Sequence, residues 1–143
     1  MARFSCNDIE GFVLDMAEFA KLPDQTIRSI IQSGAEVVRK AHAEAIGAQL
    51  HRTGKLMGSP AVIMKTKGNN PYALIYPQGT HHTYHAKKGS GSAPNAEIGF
   101  VHEFGGHGNA ALNWMRTANE KCADDTTEAE EKAFDEWLKT LNL

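Results

Sequence analysis

The densest run of reactive side-chain types in the chain is His102-Glu103-Phe104-Gly105-Gly106-His107. Two imidazoles around a glutamate suggest zinc-assisted hydrolysis, in which the metal activates a water and the carboxylate takes its proton. That chemistry needs histidines four apart on one helix, so that both rings leave from one face. Here they are five apart, and paired glycines stand where a helix is required. No zinc hydrolase is expected from this run. His81, His82 and His85 form a second group. Imidazoles this close can trap zinc or nickel adventitiously. No cysteine or acid at ligand spacing joins them, so they read as part of a polar, histidine-rich loop. Gly89-Ser90-Gly91-Ser92 is not a phosphate loop: Lys87-Lys88 precede the glycines, whereas a P-loop lysine follows them and opens a helix. Ser90 also lacks the strand–turn–helix setting of a nucleophile elbow. The expectation is a chain with no catalytic residue, no cofactor and no metal.

Charge is distributed more tellingly than its net value of −2 suggests. Between Val38 and Lys88 the basic residues are Arg39, Lys40, Arg52, Lys55, Lys65, Lys67, Lys87 and Lys88, against Glu44 alone. From Glu120 to Glu136 the balance reverses: Asp124, Asp125, Glu128, Glu130, Glu131 and Asp135 face only Lys121 and Lys132. Either both blocks are solvated faces, or copies meeting head to tail bring them together. Lys55, Lys65 and Lys67 beside Tyr72 and Tyr76 would also make a phosphate-binding face. No helix-turn-helix, zinc finger or RNP motif accompanies them, so non-specific contact with DNA is the most that face implies.

The elements that must position these residues follow from periodicity. Ile9, Phe12, Val13, Met16 and Phe19 recur at helical spacing and predict an N-terminal helix over 8–21, inside a segment 1–22 that Pro23 closes. Asp24 is the expected cap of a second helix reaching about Leu50, with Ile27, Ile30, Ile31, Val37, Val38, Ala41 and Ala45 as its stripe. Gly34 lies on that stripe despite its helix cost of about 1 kcal/mol, which implies close packing there. Gly54 is the natural left-handed exit. Two strand-like runs, 61–67 and 72–76, flank Gly68-Asn69-Asn70-Pro71 and predict a hairpin. Residues 79–95, rich in Gly, Ser, His and Lys, read as an exposed, mobile loop, and 97–104 as a strand broken by Gly105-Gly106. From 111 to 141 the pattern is helical, with Asp124-Asp125 and a Thr127/Glu130 capping box marking a place where it divides. The fold class is α+β: a small antiparallel sheet packed against a long helix of the N-terminal half and a C-terminal helix.

The 143 residues fit a single domain, and 41% hydrophobic with 22% charged residues is ordinary for a soluble globular protein. Cys6 and Cys122 lie far apart without a CxxC partner and are expected to stay reduced. Asp8 and Glu10 interrupt the start before any apolar run develops, so no signal peptide is expected. No stretch approaches the about 18 apolar residues that cross a bilayer.

Three short signatures, in order, resemble one known family. Arg52-Thr53-Gly54-Lys55-Leu56 follows the long helix, Glu103-Phe104-Gly105 closes the segment after the loop, and Ala111-Leu112-Asn113-Trp114-Met115-Arg116-Thr117-Ala118 opens the last helix. They resemble the phage tail-component family typified by the gene-ten product of lambdoid siphophages, and are similar to minor tail protein Z and the tail-to-head joining proteins. The likeness covers roughly residues 25–120. It departs where the family carries prolines: Ala110 or Ala111 stands at the first of these and Thr117 at the second, and Trp114 replaces the usual Phe or Leu. The resemblance implies a structural virion protein, a tail-completion or head–tail joining subunit forming a ring, commonly a hexamer, with neighbouring neck or tail proteins as partners. It would be made in a host bacterial cytoplasm and end in the virion. Scaffold roles are expected for Arg52, Thr53, Gly54, Leu56, Glu103, Phe104, Gly105, Trp114, Met115 and Arg116. Glu103 is expected to favour the positive end of the next helix and to pair with Arg116, and Phe104 to pack with Trp114 and Met115. His81, His82, His85, Lys87 and Lys88, with the acidic final helix, are the expected contacts between copies. The alternatives are a nucleic-acid-associated or host-interaction module and, behind it, a metal-dependent hydrolase.

Overall fold

A computed structural model describes residues 22–50, 54–85 and 90–141; the N-terminal helix expected over 8–21, with Arg52, Thr53, Lys87 and Lys88, lies outside them. The elements are α1 (Asp24–Gln49), α2 (Gly54–Met57), β1 (Pro60–Lys67), β2 (Asn70–Pro77), β3 (Thr80–His85), β4 (Ser90–Pro94), α3 (Asn95–Phe104) and α4 (Trp114–Thr140). The class is α+β, as the periodicity implies.

The long helices α1 and α4 form an antiparallel pair. Gly34 meets Glu130 near one end, and His42 meets Asn119 and Trp114 near the other. Between these ends the contact is lined by small side chains, Ala35, Ala118 and Cys122, all buried. Gly34 shows why its position stays bare: a Cβ there would collide with the Glu130 side chain, 2.7 Å from its Cγ. The main apolar cluster lies where α1 ends and α4 begins. It contains Ile46, Leu50, Leu56 and Trp114, flanked by Ala45, Ile98 and Met115.

The β1–β2 hairpin lies along α1. Its register runs from Pro60↔Pro77 to Lys67↔Asn70, closing on Gly68-Asn69 with Gly68 at φ 62. Thr66 bonds Arg28 of α1 through its hydroxyl, which turns the even-numbered face of β1 toward the helix. Ala61, Ile63, Lys65 and Lys67, and their partners Tyr76, Leu74, Tyr72 and Asn70, therefore share the outer face.

Several local expectations change. Asp24 does not cap α1: Pro23 holds the cap position, and Asp24 instead pairs with Arg28 one turn on at 2.8 Å. Leu50 ends α1 in right-handed geometry, and Gly54 opens the short turn α2 rather than a left-handed exit. The segment read as a loop carries a second antiparallel hairpin, β3–β4, irregular between His81 and Tyr84. Residues 97–104 are helix, not strand. The last helix starts at Trp114 and runs unbroken past Asp124-Asp125. The Thr126 and Thr127 hydroxyls bond the carbonyls of Cys122 and Ala123 one turn back, so Thr127 forms no capping box. Among the described residues no helix is long and apolar enough to cross a membrane.

Candidate functional site

Of the residues in the three sequence signatures, Leu56, Glu103, Gly105, Trp114 and Met115 meet at one joint, where α3 hands over to α4. Glu103, in the last turn of α3, is 4% exposed. One carboxylate oxygen accepts the Met115 amide at 2.6 Å and the other accepts the Arg116 amide at 3.2 Å. These are the second and third residues of α4, whose N–H groups have no partner inside the helix. A residue just before the helix usually supplies that acceptor. Here Asn113 holds the cap position in left-handed geometry, φ 51, and its side chain makes no cap bond. Glu103 does the work from ten residues upstream, and its negative charge sits at the positive end of the helix dipole. The expectation for Glu103 holds in that respect. Its pairing with Arg116 differs: the amide of Arg116 is engaged, while its guanidinium faces Glu120 at 3.5 Å.

The chain between the two helices is built to deliver that carboxylate. Gly105, at φ 81, ends α3, and a Cβ there would lie 3.1 Å from both Ala111 N and Asn109 O. Gly106 and Asn109 bond each other through both backbone groups, making a tight loop. Leu112 N and Asn113 N then bond the carbonyls of His102 and Glu103. The loop is thus laced back onto the end of α3, which fixes the distance from Glu103 to the start of α4.

Trp114 is fully buried. Its indole N–H donates to Gly99 O at 2.9 Å. Gly99 leaves room for this: a Cβ would stand 3.1 Å from Pro77 and 3.4 Å from the Trp114 ring. His42 packs on the same ring in a T-shaped arrangement, centroids 5.4 Å apart at 78°. His42 is buried, with Nε2 donating to Asn119 Oδ1 at 2.8 Å. Leu56, from the first signature, completes the cluster around Trp114. Phe104 does not join it. It is 72% exposed and stacks on Phe100 at 6.2 Å, because one turn of α3 places Phe100 and Phe104 on the side away from Gly99.

The histidines fall elsewhere. His81, His82 and His85 lie on β3. His102 is half-buried on α3, and His107 is exposed in the loop at φ 49. No three His, Cys, Asp or Glu side chains gather in metal-binding range among the described residues. Lys65 and Tyr72, by contrast, are direct cross-strand partners on the outer hairpin face, with Lys67 and Tyr76 on the same side.

Sequence reasoning missed His42, Gly99, Asn95 and Asn119. His42 carried a signal, since it stands 7 and 4 residues from the buried Ala35 and Ile46 on one helical face. Asn95 is buried at the start of α3 and ties it to the link between β2 and β3: its amide donates to Gln78 O at 2.6 Å, and its backbone N to Gly79 O at 2.9 Å. Nothing local in the sequence marks Asn95 or Asn119. No protein-family model, curated protein or solved structure matches this chain.

Proposed function

We propose that this chain is a non-enzymatic structural subunit of a tailed-phage particle, assembling with copies of itself into a ring that completes the tail or joins it to the head. The supporting observation is convergence. Leu56 of the first signature, Glu103 and Gly105 of the second, and Trp114 and Met115 of the third lie far apart in sequence and build one joint. A family signature kept for scaffold reasons is expected to behave this way. The acid that looks reactive is committed to the N–H groups of α4. The described core is also thin. Met57, Tyr72, Leu74, Phe100, Phe104 and Leu112 remain exposed, as on surfaces that a neighbour covers.

The test is made on particles from the phage or prophage that encodes the chain. DNA-filled particles banded on a density gradient should retain the chain at the copy number of a small ring, and deletion of its gene should leave heads and tails unjoined or tails incomplete. Its absence from banded particles, or normal infectivity without it, would overturn the proposal.

A further inference from the structure

The geometry points to an interaction surface: the outer face of the β1–β2 hairpin receives the acidic ridge of α4 from a second copy of the chain. The hairpin packs one face on α1, and among the described residues its other face presents partly to fully exposed side chains. That open face carries Ile63, Tyr72, Leu74 and Tyr76 beside Lys65 and Lys67, with Tyr72 and Leu74 38% and 37% exposed. From Pro60 to Pro77 there is no acidic residue, and no ion pair engages Lys65 or Lys67 among the described residues. A half-apolar, half-cationic sheet face calls for a partner offering carboxylates on an extended rod.

The same chain carries one. At about 100° per residue, Glu120, Asp124, Glu128, Glu131 and Asp135 fall within roughly 80° of arc on α4. They are exposed and lie well away from the buried Ala118 and Cys122. Lys121 and Lys132 border the ridge on one side only. Glu120 is met by Arg116, and the other four have no ion pair among the described residues. The lengths match: from Glu120 to Asp135 the helix rises about 22 Å, and an eight-residue strand spans about 24 Å. Within one copy the two surfaces cannot meet, because α1 holds both elements and each presents its charged face away from α1. Between copies they form a heterologous, head-to-tail contact, the type that closes into a ring. DNA is a poorer fit: two lysines are few beside the six to ten phosphate contacts of a typical binder, and Ile63 and Leu74 would face a backbone with no apolar complement.

This inference rests on self-assembly in the proposal above and assigns its contact. The full chain is compared by sedimentation velocity at low and high salt with Lys65→Glu/Lys67→Glu, with Glu128→Lys/Glu131→Lys, and with the fourfold variant, far-UV circular dichroism confirming that each is folded. The parent should associate and loosen as salt rises. Each double variant should lose association by roughly tenfold or more, and the fourfold variant should regain it. A mixture of the two double variants should also regain association, with the two kinds of copy alternating, since each variant's hairpin is complementary in charge to the other variant's ridge. Double variants that assemble as well as the parent would overturn the contact while leaving the ring intact. So would binding of duplex DNA that requires Lys65 and Lys67 while association does not. A parent that stays monomeric at every concentration, and with neck and tail partners added, would remove the assembly reading itself.

Discussion

Replacing Glu103 tests the joint most directly. The side chain is buried, so water cannot take over its role when it is removed. Glu103→Ala leaves the Met115 and Arg116 amides without acceptors at the part-buried start of α4. Hydrogen bonds to a charged group are worth about 1.5–3 kcal/mol each, and an orphaned buried donor costs about 1–3 kcal/mol. These overlap rather than add, and part is recovered as the first turn frays. About 3–4 kcal/mol is the expected loss. Glu103→Gln keeps one oxygen for one amide but turns an NH2 group toward the other and removes the charge that favours the helix end. About 2 kcal/mol is expected. Against a total of about 5–15 kcal/mol the alanine loss is large. With a urea slope near 2 kcal/mol/M it moves the midpoint down by roughly 1.5–2 M. Urea unfolding followed by tryptophan fluorescence and by far-UV circular dichroism reads this, because Trp114 lies directly at the affected turn. Changes below about 0.3 M for both variants would refute the reasoning, since α4 would then be capped by something other than Glu103.

Two further substitutions test the packing. Gly34→Ala should gain about 1 kcal/mol of helix propensity but force Glu130 to move. The single variant is therefore expected within about 0.5 kcal/mol of the parent, whereas the same change in a Glu130→Ala background should stabilise by about 1 kcal/mol; thermal unfolding of all four proteins gives the coupling. Gly105→Ala places a side chain at φ 81 and ψ 169, against Ala111 N and Asn109 O. It should cost about 2–3 kcal/mol in the same urea assay, and a neutral result would mean that the loop relaxes freely.

Much of the architecture was legible because periodicity reports burial. The stripe on α1 alternates as a half-buried helix must, and the hairpin follows from strand-like runs around Gly68. The run 97–104 reads as strand because an apolar segment this short fits either period, whereas the fold makes it helix. Its helical form is settled by Pro77 and Trp114 closing on Gly99. Residues 79–95 offer no apolar alternation, so the pairing of Thr80–His85 with Ser90–Pro94 has no signal in the sequence pattern. The role of Glu103 as a cap was foreshadowed by its nearness to a helix start, while the burial of Trp114 against His42 was not.

Residue type and spacing over a turn or two are enough to specify the first long helix, the helical character of the C-terminal segment, the first hairpin, the separation of basic and acidic blocks and the glycines that bend the chain before α4. Which acid caps α4, which aromatic is buried and which lies open, and that the lysines and tyrosines share one outward face emerge only from packing between distant segments. Those outcomes depend on atoms brought together from distant positions, where the competition between neighbours for one small core has no local trace.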